Sequence, residues 1–263
     1  MLAKQIIDRF ENFAPKTIAF DHDPVGLQIG DVNAAVHRVL VTLDVRPEVV
    51  DEAIAQNCDM IFSHHPLIFR PIKNLDFSNP QNQMYAKLIQ NSILVYSAHT
   101  NLDVTEGGMN DWLADAMQLT KVKSVYSAHY DTNIGRIGEL TTAPSVEGFA
   151  KSLKQTFNLS GLRLVSNNND ASIKKVAIVG GDGGKFYPEM LKAGADVFVT
   201  GDVYYHTGHD MLADGIRVID VGHNVEKICI PKLTALFNEW KAENSWDIEI
   251  VESTTNTNPY QFL

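Results

Sequence analysis

The same order of segments runs twice along this chain. A helix with Ile6, Ile7, Phe10 and Phe13 on one face leads to Gly26-Leu27-Gln28-Ile29 and then to the buried-strand run Val39-Leu40-Val41-Thr42-Leu43-Asp44. A second helix, over 143–157, leads to Gly161-Leu162-Arg163-Leu164 and then to Val176-Ala177-Ile178-Val179-Gly180-Gly181-Asp182. After a further helix in each half (47–57 and 185–194) come CDMIFSHHP and ADVFVTGDV, aligned at Phe62 and Phe198. One more helix leads to ILVYSAHTNLD and IRVIDVGHNVE, aligned at His99 and His223. The offset is 135 residues at the glycines, 137 at the first strands, 136 at the phenylalanines and 124 at the histidines. Strands alternating with helices force βα crossovers. The strands are therefore largely parallel and covered by helices, and loops beyond their carboxyl ends are available for a site. Any two βαβ stretches look somewhat alike, but the shared order and spacing favour an internal duplication. The expectation is an α/β fold of two similar lobes, 1–124 and 125–263.

With 263 residues, 44% of them apolar and 21% charged, the chain can bury one large core or two small ones. Its 22 basic and 32 acidic residues leave a formal charge of −10, which opposes a phosphate backbone and argues against a nucleic-acid partner. The opening MLAKQIIDRFENF alternates charged with apolar positions at helical spacing, unlike a signal peptide. No stretch approaches the roughly 18 apolar residues of a membrane span. A cytoplasmic protein without a membrane partner is expected. Cys58 and Cys229 are the only cysteines, each in an apolar periodic segment, and read as buried thiols. Any metal must then be held by His and carboxylate.

Ile61-Phe62-Ser63-His64-His65-Pro66 puts two imidazoles at the end of an apolar strand. Neighbouring strand residues face opposite ways, so both reach one site only if the backbone leaves strand geometry there. Pro66 ends the ladder because it has no N–H. Taken alone, such a pair also fits a surface or capping role. A second strand end, Val95-Tyr96-Ser97-Ala98-His99-Thr100-Asn101-Leu102-Asp103, adds His and Asp where the chain leaves the sheet. In a third, Val221-Gly222-His223-Asn224-Val225-Glu226, a strand turns into a helix whose His and Glu, three apart, share a face. Glu226 alone also suits a helix N-terminus, where it complements the dipole. Together the three strand ends favour a metal. His64, His65 and His223 with Asp103 and Glu226 exceed one tetrahedral site once a water is counted. Two divalent ions are expected, with Asp103 and Glu226 as bridges between cations about 3.5–4 Å apart. Mixed imidazole and carboxylate ligation suits zinc, iron, manganese or nickel better than calcium.

The motifs DPVGLQIG (23–30), IFSHHPLIF (61–69), SAHTNLD (97–103), TGDVYYH (200–206), VGHNVEK (221–227) and NTNP (256–259) resemble those of the Nif-three-like proteins. Many members of that family carry the name GTP cyclohydrolase I type 2 homologue. The resemblance runs from near residue 20 to the C-terminus, at the length of the form without a mid-chain insert. It implies a dinuclear metal centre between two intertwined α/β lobes, with His64, His65, Asp103, His223 and Glu226 as ligands, and a ring-shaped homohexamer. There are two departures. Phe20-Asp21-His22-Asp23-Pro24 stands where many members have an aromatic-Asp-Asn, and the spacing from His223 to Glu226 is one residue shorter than in some relatives.

Further candidates flank this set. His99, four residues before Asp103, reads as a group that supports a ligand or moves a proton near the metals. Tyr205 and His206, after Asp202, either line the same pocket or form an ordinary helix start. Gly180, Gly181, Gly183 and Gly184 around Asp182 read as a tight strand-to-helix turn, since the motif lacks the Lys and Ser/Thr of a P-loop. The expected function is a metal-dependent hydrolase of a small phosphorylated or nucleotide-like molecule, with GTP ring opening and phosphoester cleavage both compatible with these residues. The competing reading is a non-catalytic metal-binding or scaffold protein.

Overall fold

Short β-branched runs bounded by glycine or charged turns become the strands of the computed structural model, which describes residues 1–263. They are β1 (Gly26–Ile29), β2 (Arg38–Thr42), β3 (Met60–Ser63), β4 (Leu94–Ser97), β5 (Thr120–Ser127), β6 (Thr132–Glu139), β7 (Arg163–Val165), β8 (Lys175–Ile178), β9 (Val197–Thr200), β10 (Arg217–Asp220) and β11 (Glu249–Glu252). The fold is mixed α/β with two sheets, in two compact units: Met1–Thr105 with Lys227–Asn258, and Glu106–Glu226 with Pro259–Leu263.

In the first unit the strand order is β1-β4-β3-β2-β11, all parallel except β1. Parallel strands need cover on both faces, and the alternation of side chains meets two different covers. Leu40, Ile61 and Val95 pack with Val49, Val50, Tyr85 and Leu88 from helices Pro47–Ala55 and Pro80–Gln90. On the opposite face Phe62 lies edge-on to Phe10 of helix Ala3–Phe13 and to Phe237 of helix Cys229–Asn244, with both ring centroids at 4.8 Å. The registers Thr42↔Ser63 and Ser63↔Ser97 end three parallel strands at one level. Just past that level stand Asp44, the pair His64 and His65, and His99.

The second unit has the order β5-β6-β8-β9-β10-β7. β8, β9 and β10 are parallel, β7 is antiparallel to β10, and the β5–β6 hairpin extends the other edge. The run β7-β10-β9-β8 repeats the order and directions of β1-β4-β3-β2.

A division at 124/125 does not match these units. It would cut through β5, whose ladder to β6 belongs to the second sheet, while β11 runs parallel to β2 and returns residues 227–258 to the first. The expected helices are present over Ala3–Phe13, Pro47–Ala55, Val146–Thr156 and Tyr187–Lys192. Both cysteines are buried and outside any disulfide, and burial pushes the Cys58 thiol up to about 11. No helix is long and apolar enough to cross a membrane.

Candidate metal centre

In the first unit β3 ends at Ser63, so His64 and His65 leave strand geometry as two converging imidazoles require. His64 is fully buried. Its Nδ1 lies 2.8 Å from the Ala98 carbonyl oxygen, which can only accept, so Nδ1 carries the proton and Nε2 presents its lone pair. That Nε2 is 3.6 Å from Asp103 Oδ1, on the short helix Thr100–Val104. His65 Nδ1 is 2.6 Å from Asp44 Oδ1, and the other oxygen of Asp44 accepts the Thr257 hydroxyl. His99 Nδ1 is 2.8 Å from Asp23 Oδ1, while Asp23 Oδ2 accepts the Thr100 backbone N–H at 3.0 Å and its hydroxyl. Ligand atoms of His64, His65 and His99 lie within 4.8 Å of one another. Burial favours the neutral form of Asp44 and of Asp23, but the imidazole each one holds outweighs it and keeps both carboxyls below their usual range.

The second unit presents His223 and Glu226 on the 3₁₀ turn His223–Ile228, with Nε2 and Oε2 3.2 Å apart. His223 Nδ1 is 2.8 Å from Asp202 Oδ2. Burial opposes the charge on His223, but hydrogen bonds to Asp202 and Glu226 outweigh it and push the imidazolium up to about 11. The same bond holds the Asp202 carboxyl low. Buried Asp220, the last residue of β10, fixes both loops: it accepts the N–H of Val203 at 3.0 Å and of Gly222 at 2.9 Å and pairs with Arg163. The glycine turn closes against this pair. Gly181 has φ +59°, and a Cβ there would lie 2.6 Å from Glu226 Oε1 and 3.2 Å from His223 Nε2. The Gly180 N–H donates to Asn110 Oδ1 at 2.9 Å. The loop acts as a tight turn that admits Glu226.

Residues 1–259 match the family model described as Duf34/NIF3 (NGG1p interacting factor 3). The chain belongs to the Duf34/NIF3 family. A Streptococcus pneumoniae relative named GTP cyclohydrolase 1 type 2 homolog is 42% identical over 100% of both chains. One of the same name from Lactococcus lactis is 38% identical over 95% of each. A solved Bacillus cereus protein related to NIF3 is similar with a TM-score of 0.96 at 29% identity, over 100% of this chain and 99% of that one.

Of the five ligands expected in this Duf34/NIF3 chain, His64, His65 and Asp103 share the first unit and His223 and Glu226 share the second. His99 joins the first set through its ring contacts with His64 and His65. Tyr205 and His206 begin helix Tyr205–Asp214 and are exposed, and the Tyr205 ring meets those of His206 and His209, as at an ordinary helix start. The sequence repeat pairs His223 with His99. Counted from the last residue of each strand, however, His223 lies one position further out, and the carboxylates match instead, Asp103 beyond Ser97 as Glu226 beyond Asp220. Sequence reasoning missed Asp23, Asp44 and Asp202 as partners of the imidazoles. Asp44 and Asp202 lie just past a strand end, and Asp23 occupies the loop ahead of β1, so position was the available signal.

Proposed function

We propose that this protein holds two divalent metal ions at a centre to which both units contribute, His64, His65 and Asp103 from one and His223 and Glu226 from the other. In this reading it acts in the cytoplasm as a metal-dependent hydrolase of a small phosphorylated or nucleotide-like molecule. The observation that supports it is the state of the imidazoles. His64, His65, His99 and His223 each have Nδ1 engaged by a carbonyl or carboxylate, which directs Nε2 to a cation. Mixed imidazole and carboxylate donors fit zinc, iron, manganese or nickel. When bound, such ions supply an activated water and a charge that polarises the electrophile.

The chain's own residues have separable parts. Asp44 and Asp202 hold the tautomers of His65 and His223, and Asp103 and Glu226 offer carboxylate oxygens. His99, fixed by Asp23 and beside the rings of His64 and His65, would take or give a proton at Nε2 in this reading. The name shared by the relatives supports a nucleotide-like substrate. The repeated strand order supports duplication of one βα unit. The proposal includes the ring-shaped homohexamer, read in solution as a mass six times that of the 29.2-kDa chain.

Elemental analysis of the purified protein, combined with assays on GTP and on a phosphodiester, tests the reading. About two ions per chain are expected, with turnover that falls at least about 100-fold in His64→Ala. Turnover that survives this exchange, or fewer ions in a fully loaded protein, overturns it. Full loading with no turnover would favour the non-catalytic alternative.

A further inference from the structure

The last strand continues into an irregular segment, Ser253–Asn258, whose hydroxyls converge on two carboxylates. β11 runs parallel to β2 with Glu252 opposite Val41, and the Ser253 N–H donates to the Val41 carbonyl at 2.8 Å, so the segment follows β2 outward past its carboxyl end. Glu52, on helix Pro47–Ala55, accepts the N–H and hydroxyl of Thr254 at 2.8 Å each on one oxygen. Its other oxygen accepts the hydroxyls of Ser253 and of Thr255, the latter at 2.9 Å. Three successive residues are thereby tied down, and the chain then delivers Thr257 to Asp44.

Asp44 is the group that holds His65. Rotation of a carboxylate about χ2 is soft, because a terminal sp³–sp² torsion is broad and roughly two-fold. An imidazole bound through one oxygen inherits that freedom unless the other oxygen is also fixed. The Thr257 hydroxyl occupies that second oxygen, while the His65 Nδ1–H occupies the first at 2.6 Å.

We propose that the C-terminal segment is a strap that positions His65: Thr257 fixes the Asp44 carboxylate, and Asp44 fixes the tautomer and direction of His65 toward a divalent cation. This rests on the metal-binding reading and extends it to residues that are not ligands. Thr257 is a positioning residue. Its loss weakens the grip on the ion without removing a donor.

The test is a zinc titration of the metal-free, full-length protein by competition with a chromophoric chelator, paired with nitrogen-15 NMR of its imidazoles. Thr257→Val is expected to bind zinc about tenfold more weakly, at the low end for partners of a ligand. Thr257→Ser, which keeps the hydroxyl, is expected to bind as the wild type does. In the metal-free wild type, His65 is expected as the Nδ1–H form with a protected proton, and in Thr257→Val that proton exchanges faster. Equal zinc affinity in Thr257→Val and wild type overturns the strap, as does a loss in Thr257→Ser equal to that in Thr257→Val. If the wild type takes up no zinc, the metal-binding reading falls and the His65 resonance decides alone: unchanged in Thr257→Val it overturns the positioning role, and altered it supports it. Should the valine variant unfold, Thr257→Ala carries the same comparison at this half-buried position.

Discussion

Proton and metal compete for the same nitrogen of His223. The carboxylates of Asp202 and Glu226 overcome the opposition of burial and raise its pKa to about 11, so the metal-free imidazole is charged at neutral pH. A metal ion needs it neutral. Zinc uptake at pH 7 is therefore expected to release about one proton from this site, seen in calorimetry as a binding enthalpy that varies with the ionisation enthalpy of the buffer. His223→Ala should flatten that dependence, and a wild-type enthalpy indifferent to buffer would contradict the assignment. A second exchange tests the glycine turn. Gly181→Ala forces a side chain onto φ +59° and into contact with Glu226 Oε1, and should cost about 1–2 kcal/mol of stability from backbone strain alone. Zinc affinity should fall with it, measured beside urea unfolding. His64, His65, Asp103, His223 and Glu226 could be singled out from the sequence as proposed ligands because imidazole and carboxylate recur there at strand ends. Asp23, Asp44 and Asp202 were not, because an aspartate in a loop has ordinary roles in turns and caps, and only the folded register selects which His it meets.

At the scale of elements, what was legible followed from apolar periodicity. β2, β3, β4, β8, β9 and β10 are almost wholly buried, and their continuous apolar runs announce parallel strands. β5 and β11 lack that signal. β5 is largely exposed, β11 has only half-buried positions at its centre, and the partner of β11 is β2, near the other end of the sequence. A boundary placed from local pattern alone therefore fell inside β5. The same long-range pairing gives the terminal helix Cys229–Asn244 its importance, since Phe237 packs on Phe10, Phe62 and Trp240. Phe237→Ala should cost about 3–5 kcal/mol, measured by denaturant unfolding. A loss below about 1 kcal/mol would show that the aromatic cluster is not part of the core that holds the first sheet together.

For the molecule as a whole, acid acts on the carboxylates that hold the imidazoles, and a metal would act on the imidazoles they hold. The Asp23, Asp44 and Asp202 carboxyls are held below the usual aspartate range, so the stability they contribute is present above about 4 and is lost as pH falls through their lowered folded values. His223 has the opposite sign: its contribution to the metal-free fold is whole below the unfolded value of 6.5 and disappears as pH rises through about 11. The metal-free protein should therefore be most resistant to urea in the weakly acidic range, weakening below about pH 4 and again in alkali. Zinc at a hundred times its Kd should add about 2.7 kcal/mol, raising Tm by roughly 5–10 °C, and a chelator should reverse the rise. No rise in Tm on zinc addition would count against a cation site in the folded state.

The path of the chain also sets a timetable for biosynthesis. The first unit pauses at Thr105 and is completed only by Lys227–Asn258, which carries the helix that covers Phe10 and the strand that flanks β2. At 5–20 residues per second a ribosome needs roughly 7–30 s to travel from the first break to the final strand. During that interval Phe10 and Phe62 lack the aromatic cover of Phe237. The second unit needs only the five residues Pro259–Leu263 beyond its continuous stretch. The first unit is thus begun early and closed late, its aromatic core waiting for the helix Cys229–Asn244 and the strand β11.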